Sequence, residues 1–307
     1  MAGCVEILRR EFKRKNLGFT GVREERFCAS QWRWPGWVYL TYRLVLAFYL
    51  LFWLGYTSGN FHGGKRGSGW TWGAALTNWT YALLAVYATW HLIATIIHYT
   101  QVTVNPPESS SESSSCWRRP SEDFHNALFT ELNEGLYERV TEEAGGRGTS
   151  TTSARDRLDT SRPAWYLCVV WILYSAVSSF AVIVTVVYFA VLHDWTEVID
   201  VSNLQVHAFN SLLVFLEHSV SAIPYRLLHV VYPLLYGLLY LLFSLYYWTT
   251  DHRKVVYPIL DWNKPWIIAV CIISIGFVLL PLCHGFYFLL YKGRMALYRR
   301  NFLFCRV

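Results

Sequence analysis

The sequence predicts an all-α fold: an integral membrane bundle of six transmembrane helices with both termini cytosolic. Three observations predict it. Of 307 residues, 54% are hydrophobic and only 16% are charged, a balance that belongs to membrane chains and not to soluble domains. Six stretches reach the roughly 20 mostly apolar residues needed to cross a hydrocarbon core of about 30 Å. Finally, when both termini are placed inside, the inner segments hold 21 Lys and Arg and the outer loops hold 5. Cytoplasmic segments carry that excess, and an odd number of spans would put one basic end outside.

Residues 1–36 read as a basic cytosolic N-terminal segment. They contain no early apolar core, so the first span must act as its own insertion signal. The cluster RREFKRK at 9–15 serves as a topology signal. It can also attract anionic lipid, at about 1 kcal/mol per charge near the surface. Residues 37–99 hold the first two helices, Trp37–Tyr56 and Ala74–Tyr99. Helices are required because backbone groups in lipid must be satisfied within the segment, and these runs are too long for barrel strands.

Residues 100–163 form a cytosolic loop of low complexity, with NPPESSSESSS near its start and GGRGTSTTSARDR later. Such composition cannot bury enough apolar surface to order itself. Within it, Phe124, Leu128, Leu132 and Leu136 recur at helical spacing, which predicts a short amphipathic helix on the inner face. Residues 164–292 hold the other four helices: Trp165–Leu192, Leu204–Ile223, Leu227–Trp248 and Trp266–Tyr291. Residues 293–307 are a basic cytosolic tail. Trp and Tyr gather at the span ends, as at Trp34, Trp37, Trp165, Trp248 and Trp266, which is the aromatic belt of a membrane interface.

Seven cysteines lie without CxxC or regular spacing, which supports neither a zinc site nor a disulfide framework. Cys4, Cys28 and Cys305 lie near or before spans and are candidates for S-acylation, with unmodified thiols the simpler reading. Asn78-Trp79-Thr80 fits the glycosylation pattern but falls inside the second span, out of reach of glycan transfer. His91, His98, His229 and His284 fall toward the inner half, yet no HExxH or helical His pair marks a metal. Neither a cofactor nor a nucleic-acid partner is indicated. The lipid bilayer is the expected partner, with membrane proteins as further ones.

The fourth span is the unusual one. VHAFNSLLVFLEHS at 206–219 places two histidines, an asparagine, a serine and a glutamate in a predicted membrane helix. At 100° per residue His207, Asn210, Ser211, Glu217, His218 and Ser221 share an arc of about 120°. Ionisable groups inside a membrane are costly and are usually paired or functional. Glu217 lies toward the inside, at the level expected for Arg43 on the first span, which suggests a structural ion pair. His207 lies about 5 Å below the outer surface, at the level of Thr77 on the second. A hydroxyl whose proton an imidazole takes can act as a nucleophile, so Thr77 and His207 form a candidate catalytic dyad. Asn203, one turn before His207, and Asp200 in the outer loop are the candidates for orienting the imidazole. Plain helix-to-helix hydrogen bonding is the competing account.

Several stretches together resemble the rolling stone family of multi-pass membrane proteins: WRWPGWVYLTYR (32–43), ALTNWTYALLAVYATW (75–90), HAFNSLLVFLE (207–217), IPYRLLHVVYPLLYGLLYLLFSLYYW (223–248) and VYPILDWNKP (256–265). The namesake of that family is associated with myoblast fusion. The resemblance therefore implies a role in membrane organisation or cell–cell fusion, at the plasma membrane in preference to the endoplasmic reticulum. A more distant similarity links these proteins to the androgen-induced family of membrane hydrolases, which cleave fatty-acid esters of hydroxy fatty acids with a threonine and a histidine. Leu76-Thr77 and the ten-residue step from His207 to Glu217 match that pattern, while Ala208-Phe209-Asn210 depart from it. That resemblance implies an intramembrane hydrolase acting on an acyl-lipid substrate. A transporter with its path along the polar stripe is a third reading, weakened by the lack of internal repeats and broken helices.

Overall fold

The computed structural model describes residues 9, 11–60, 71–104, 162–196, 198–253 and 255–304. The expected amphipathic helix at 124–136 lies outside them, as do Cys4 and Cys305.

Six long helical runs account for most of the described residues. Helix α1 is Gly36–Gly59 and α2 is Leu76–Val104. Helix α3, Trp165–Leu192, ends in a π-helical turn, Tyr188–Leu192. Helix α4 covers 201–220 and carries a π-helical stretch, Gln205–Phe209. Helix α5 is Leu227–Thr250, and α6 covers 265–304 with a third π-helical stretch, Ile273–Leu279.

Local chemistry sets the boundaries. Pro35 and Pro163 precede α1 and α3, where a proline restricts the residue before it to extended backbone. Pro265 occupies the first turn of α6, where its missing N–H costs nothing. Asp200 caps α4, its carboxylate accepting from the Ser202 N–H at 3.0 Å, which satisfies one of the free donors of a helix start.

Five helices, α1, α2, α3, α5 and α6, are long and apolar enough to cross a membrane. Helix α4, at 201–220, is about 30 Å long at 1.5 Å per residue, but its polar groups keep it out of that set. It also stops earlier than the predicted Leu204–Ile223. Ser221 is extended, and 221–226 runs as non-helical chain through Pro224. At the other extreme, α6 passes its predicted end at Tyr291 and continues to Phe304, in a basic stretch that holds no proline to stop it.

Helix α3 is the central member, packing on α2, α4, α5 and α6. Trp171, Tyr174, Val177 and Ala181 on it are fully buried. At Gly237 of α5 an added Cβ would stand 3.0 Å from the Phe180 ring, so glycine there allows the two helices to approach closely.

The basic N-terminal segment packs against the bundle. Its apolar residues enter the bundle, with Phe27 and Cys28 buried and Phe27 edge-on to Trp171. Burial puts Cys28 out of reach of an acyl donor. Ser30 pairs with Ser221 in an isolated antiparallel bridge, through Gln31 N–H to Val220 O at 2.8 Å and Ala222 N–H to Ala29 O at 3.2 Å.

Candidate functional site

The polar stripe of α4 resolves into two regions. At its lower end Glu217, 1% exposed, receives four hydrogen bonds. Arg43 donates from Nη1 to Oε2 at 2.6 Å and from Nη2 to Oε1 at 2.7 Å. Tyr42 and Tyr87 donate their hydroxyls at 2.9 and 2.7 Å. Arg43, wholly buried, also donates to Tyr39 Oη and to Ser221 Oγ, and its guanidinium lies 4.7 Å from the Tyr39 ring centroid. A bidentate pair with its remaining acceptor sites filled is the arrangement in which Coulomb attraction can offset the loss of water.

His91 joins this group at one remove. Its Nε2 faces the Phe27 carbonyl at 2.6 Å and must carry the hydrogen, since a carbonyl only accepts. Its Nδ1 is 3.0 Å from the Tyr87 hydroxyl. One residue further along α4, the Tyr174 hydroxyl and His218 Nδ1 are 2.6 Å apart.

Below Glu217 the chain leaves the helix, and its carbonyls find donors almost one by one. Arg294 of α6 donates to the carbonyls of His218, Ser221 and Ile223. Trp32 Nε1 reaches Ser219 O at 2.8 Å and Arg26 Nε reaches Ala222 O at 3.3 Å. Trp171 Nε1 takes Pro224 O at 2.8 Å, and His284 Nε2 lies 3.0 Å from Arg226 O. Irregular backbone inside a membrane bundle is tolerated only when it is satisfied by protein in this way. The positive guanidinium of Arg294 also suits the negative end of the α4 dipole.

At the upper end, Thr77 and His207 are both buried, at 7% and 8% exposure. Thr77 sits in the first turn of α2, its N–H 3.5 Å from the hydroxyl of Tyr257 in the α5–α6 loop. Burial pushes the Tyr257 phenol above its ordinary pKa, so it stays protonated. His207 stacks flat on Tyr188, with centroids 3.5 Å apart and planes at 5°, and its carbonyl accepts from the Thr185 hydroxyl. Among the described residues its buried Nδ1 has no hydrogen-bond partner. Among the described residues no hydrogen bond joins Thr77 to His207. Asn203 is half-buried, and the exposed Asp200 directs its carboxylate to its own helix start. The residue that ties α4 to both α1 and α2 at this level is Gln205, which accepts from the Tyr49 hydroxyl at 2.6 Å and donates to Tyr81 Oη at 3.0 Å. Sequence reasoning passed over it because the π-helical stretch at 205–209 turns it away from where a regular 100° step puts it. Among the described residues no three His, Cys, Asp or Glu side chains converge, so no metal centre is assigned.

A family model described as "Rost: Protein rolling stone" matches residues 147–306, from before α3 to the end of α6. The chain belongs to the rolling stone family. Protein rolling stone of Drosophila melanogaster is 28% identical over 295 residues, covering 90% of this chain and 85% of that protein. The family match thus includes Glu217 and the irregular stretch that Arg294 holds, and the longer alignment spans most of the chain. No solved structure matches it.

Proposed function

We propose that this rolling stone family member spans the membrane six times, with α4 as the additional span and both termini cytosolic. It organises membranes at the cell surface, in the manner of cell–cell fusion, and acts through contacts. The observation that carries this reading is the saturation of Glu217 by Arg43, Tyr42 and Tyr87. The charged groups of the stripe are spent on fastening α1, α2 and α4 together, which makes them a scaffold for the surfaces the bundle presents. A content-mixing assay between two cell populations tests the role. Thr77→Ala is expected to leave mixing intact, and substitutions in the outer loops at 58–73 or 250–264 to abolish it. The reverse pattern contradicts the reading. Terminal epitope tags that label only after permeabilisation check the topology.

One observation favours a second reading, an intramembrane threonine/histidine hydrolase of fatty-acid esters. Among the described residues His207 keeps a buried ring nitrogen with no hydrogen-bond partner, at the same end of the bundle as Thr77. Labelling by a serine/threonine-hydrolase probe that disappears in Thr77→Ala supports the hydrolase, and labelling independent of Thr77 removes it.

A further inference from the structure

Midway along α4 stands a polar side chain that neither polar region claims. Asn210 is wholly buried. Among the described residues neither Nδ2 nor Oδ1 of its amide has a hydrogen-bond partner. Above it, Gln205 is bonded to Tyr49 and Tyr81. Below it, Glu217 is bonded to Arg43 and Tyr87. At 1.5 Å per residue these two layers lie about 7 Å and about 10 Å away along the helix. A hydrogen bond spans only about 3 Å, and the Asn side chain is short.

The helices facing this level supply no partner either. Between Arg43 and Tyr49, α1 buries Leu46 and Ala47, and between Tyr81 and Tyr87, α2 buries Leu84 and Ala85. These residues share one core cluster with Val206 and Val214, which stand one turn before and one turn after Asn210 on α4. On α3, the hydroxyl of Ser178 is given to the Tyr174 carbonyl at 2.6 Å. The layer around Asn210 is therefore apolar, and with Ala47 and Ala85 it carries less side-chain volume than the tyrosine layers above and below.

An amide brings two donor hydrogens and an acceptor oxygen into this layer. Burying them without partners is costly, and buried polar groups that no protein atom meets are met by ordered water. We infer that Asn210 holds a buried water between the Gln205 and Glu217 layers. Asn210, Leu50, Leu84, Ala85 and Val214 are each no more than 1% exposed, so the site takes water and has no opening for a larger ligand. The bound water lets α4 keep an amide in the apolar middle of the bundle, facing α1 and α2, in the same orientation that the Arg43–Glu217 pair requires.

Hydroxyl-radical footprinting by X-ray radiolysis, read by mass spectrometry on the full-length protein in detergent, tests the site. The radicals form from water and oxidise the side chains it touches, so residues as buried as Val214 and Leu84 are labelled only when water is bound beside them. Labelling of Val214 or Leu84 is expected in the unmodified protein and is expected to be lost in Asn210→Leu. Asn203→Leu, at a half-buried position near the helix start, is expected to leave it unchanged. Absence of labelling in the unmodified protein overturns the inference, as does labelling that persists in Asn210→Leu. Should Asn210→Leu fail to fold, a crystallographic map of the unmodified protein decides the matter. Water density within hydrogen-bond distance of Oδ1 or Nδ2 is expected there, and an amide touching carbon alone or bonded to another side chain overturns the inference.

Discussion

Arg43 on α1 and Glu217 on α4 form a bidentate ion pair from which water is excluded, with side-chain exposures of 0% and 1%. The pair explains how a helix as polar as α4 holds its place in an apolar bundle. Each partner alone would be an expensive buried charge. Together, with three tyrosine hydroxyls and Ser221 around them, they become a joint between helices that stand 174 residues apart in the chain.

The irregular chain after α4 depends on donors from remote elements. Arg294→Gln leaves the carbonyls of His218, Ser221 and Ile223 with a neutral and shorter donor. It is expected to lower stability by about 2–4 kcal/mol, the range for breaking a buried charged network. Thermal unfolding of the purified protein measures this. Arg294→Lys is expected to recover only part, since one ammonium cannot reproduce the planar fork.

The N-terminal segment is expected to behave as part of the core. Phe27→Ala removes a fully buried ring that packs on Trp171, and should cost about 3–5 kcal/mol. The same substitution at the exposed Phe12 should change stability by less than about 0.5 kcal/mol. Equal effects from the two would mean that residues 18–35 do not hold the bundle together.

Close approach of α3 and α5 requires Gly237. Gly237→Val places branched carbon where Phe180 already stands 3.0 Å from an added Cβ, with Tyr236 edge-on to Phe180 from the next position. Overpacking of this kind is expected to cost about 1–3 kcal/mol. Gly55→Val, at a site with open space around it, serves as the control and should fall near zero.

Much of this architecture was legible in the sequence. Hydropathy alone located the long helices, because lipid demands long apolar runs. Depth counting put Arg43 beside Glu217, and the two stand 2.6 Å apart. It also put Thr77 at the level of His207, where the structure gives them separate partners, Tyr257 and Tyr188. Depth fixes height along the bundle but not azimuth. The π-helical stretches at 188–192 and 205–209 change azimuth in a way that no composition records. The inserted N-terminal segment was illegible for another reason. Phe19, Phe27 and Cys28 are few and lie among charges, so no window of hydropathy finds them. Their partners, Trp171, His229 and Tyr99, lie far along the chain.

A double-mutant cycle at Arg43 and Glu217 tests most directly whether the polar stripe is a fastening between helices. Unfolding of the full chain in detergent is measured for Arg43→Met, Glu217→Met and the double variant. Each single substitution is expected to cost about 3–5 kcal/mol, because it strands the other charge in the bundle, and the double variant should recover most of that loss. Additive losses, with no coupling between the two positions, would contradict the account.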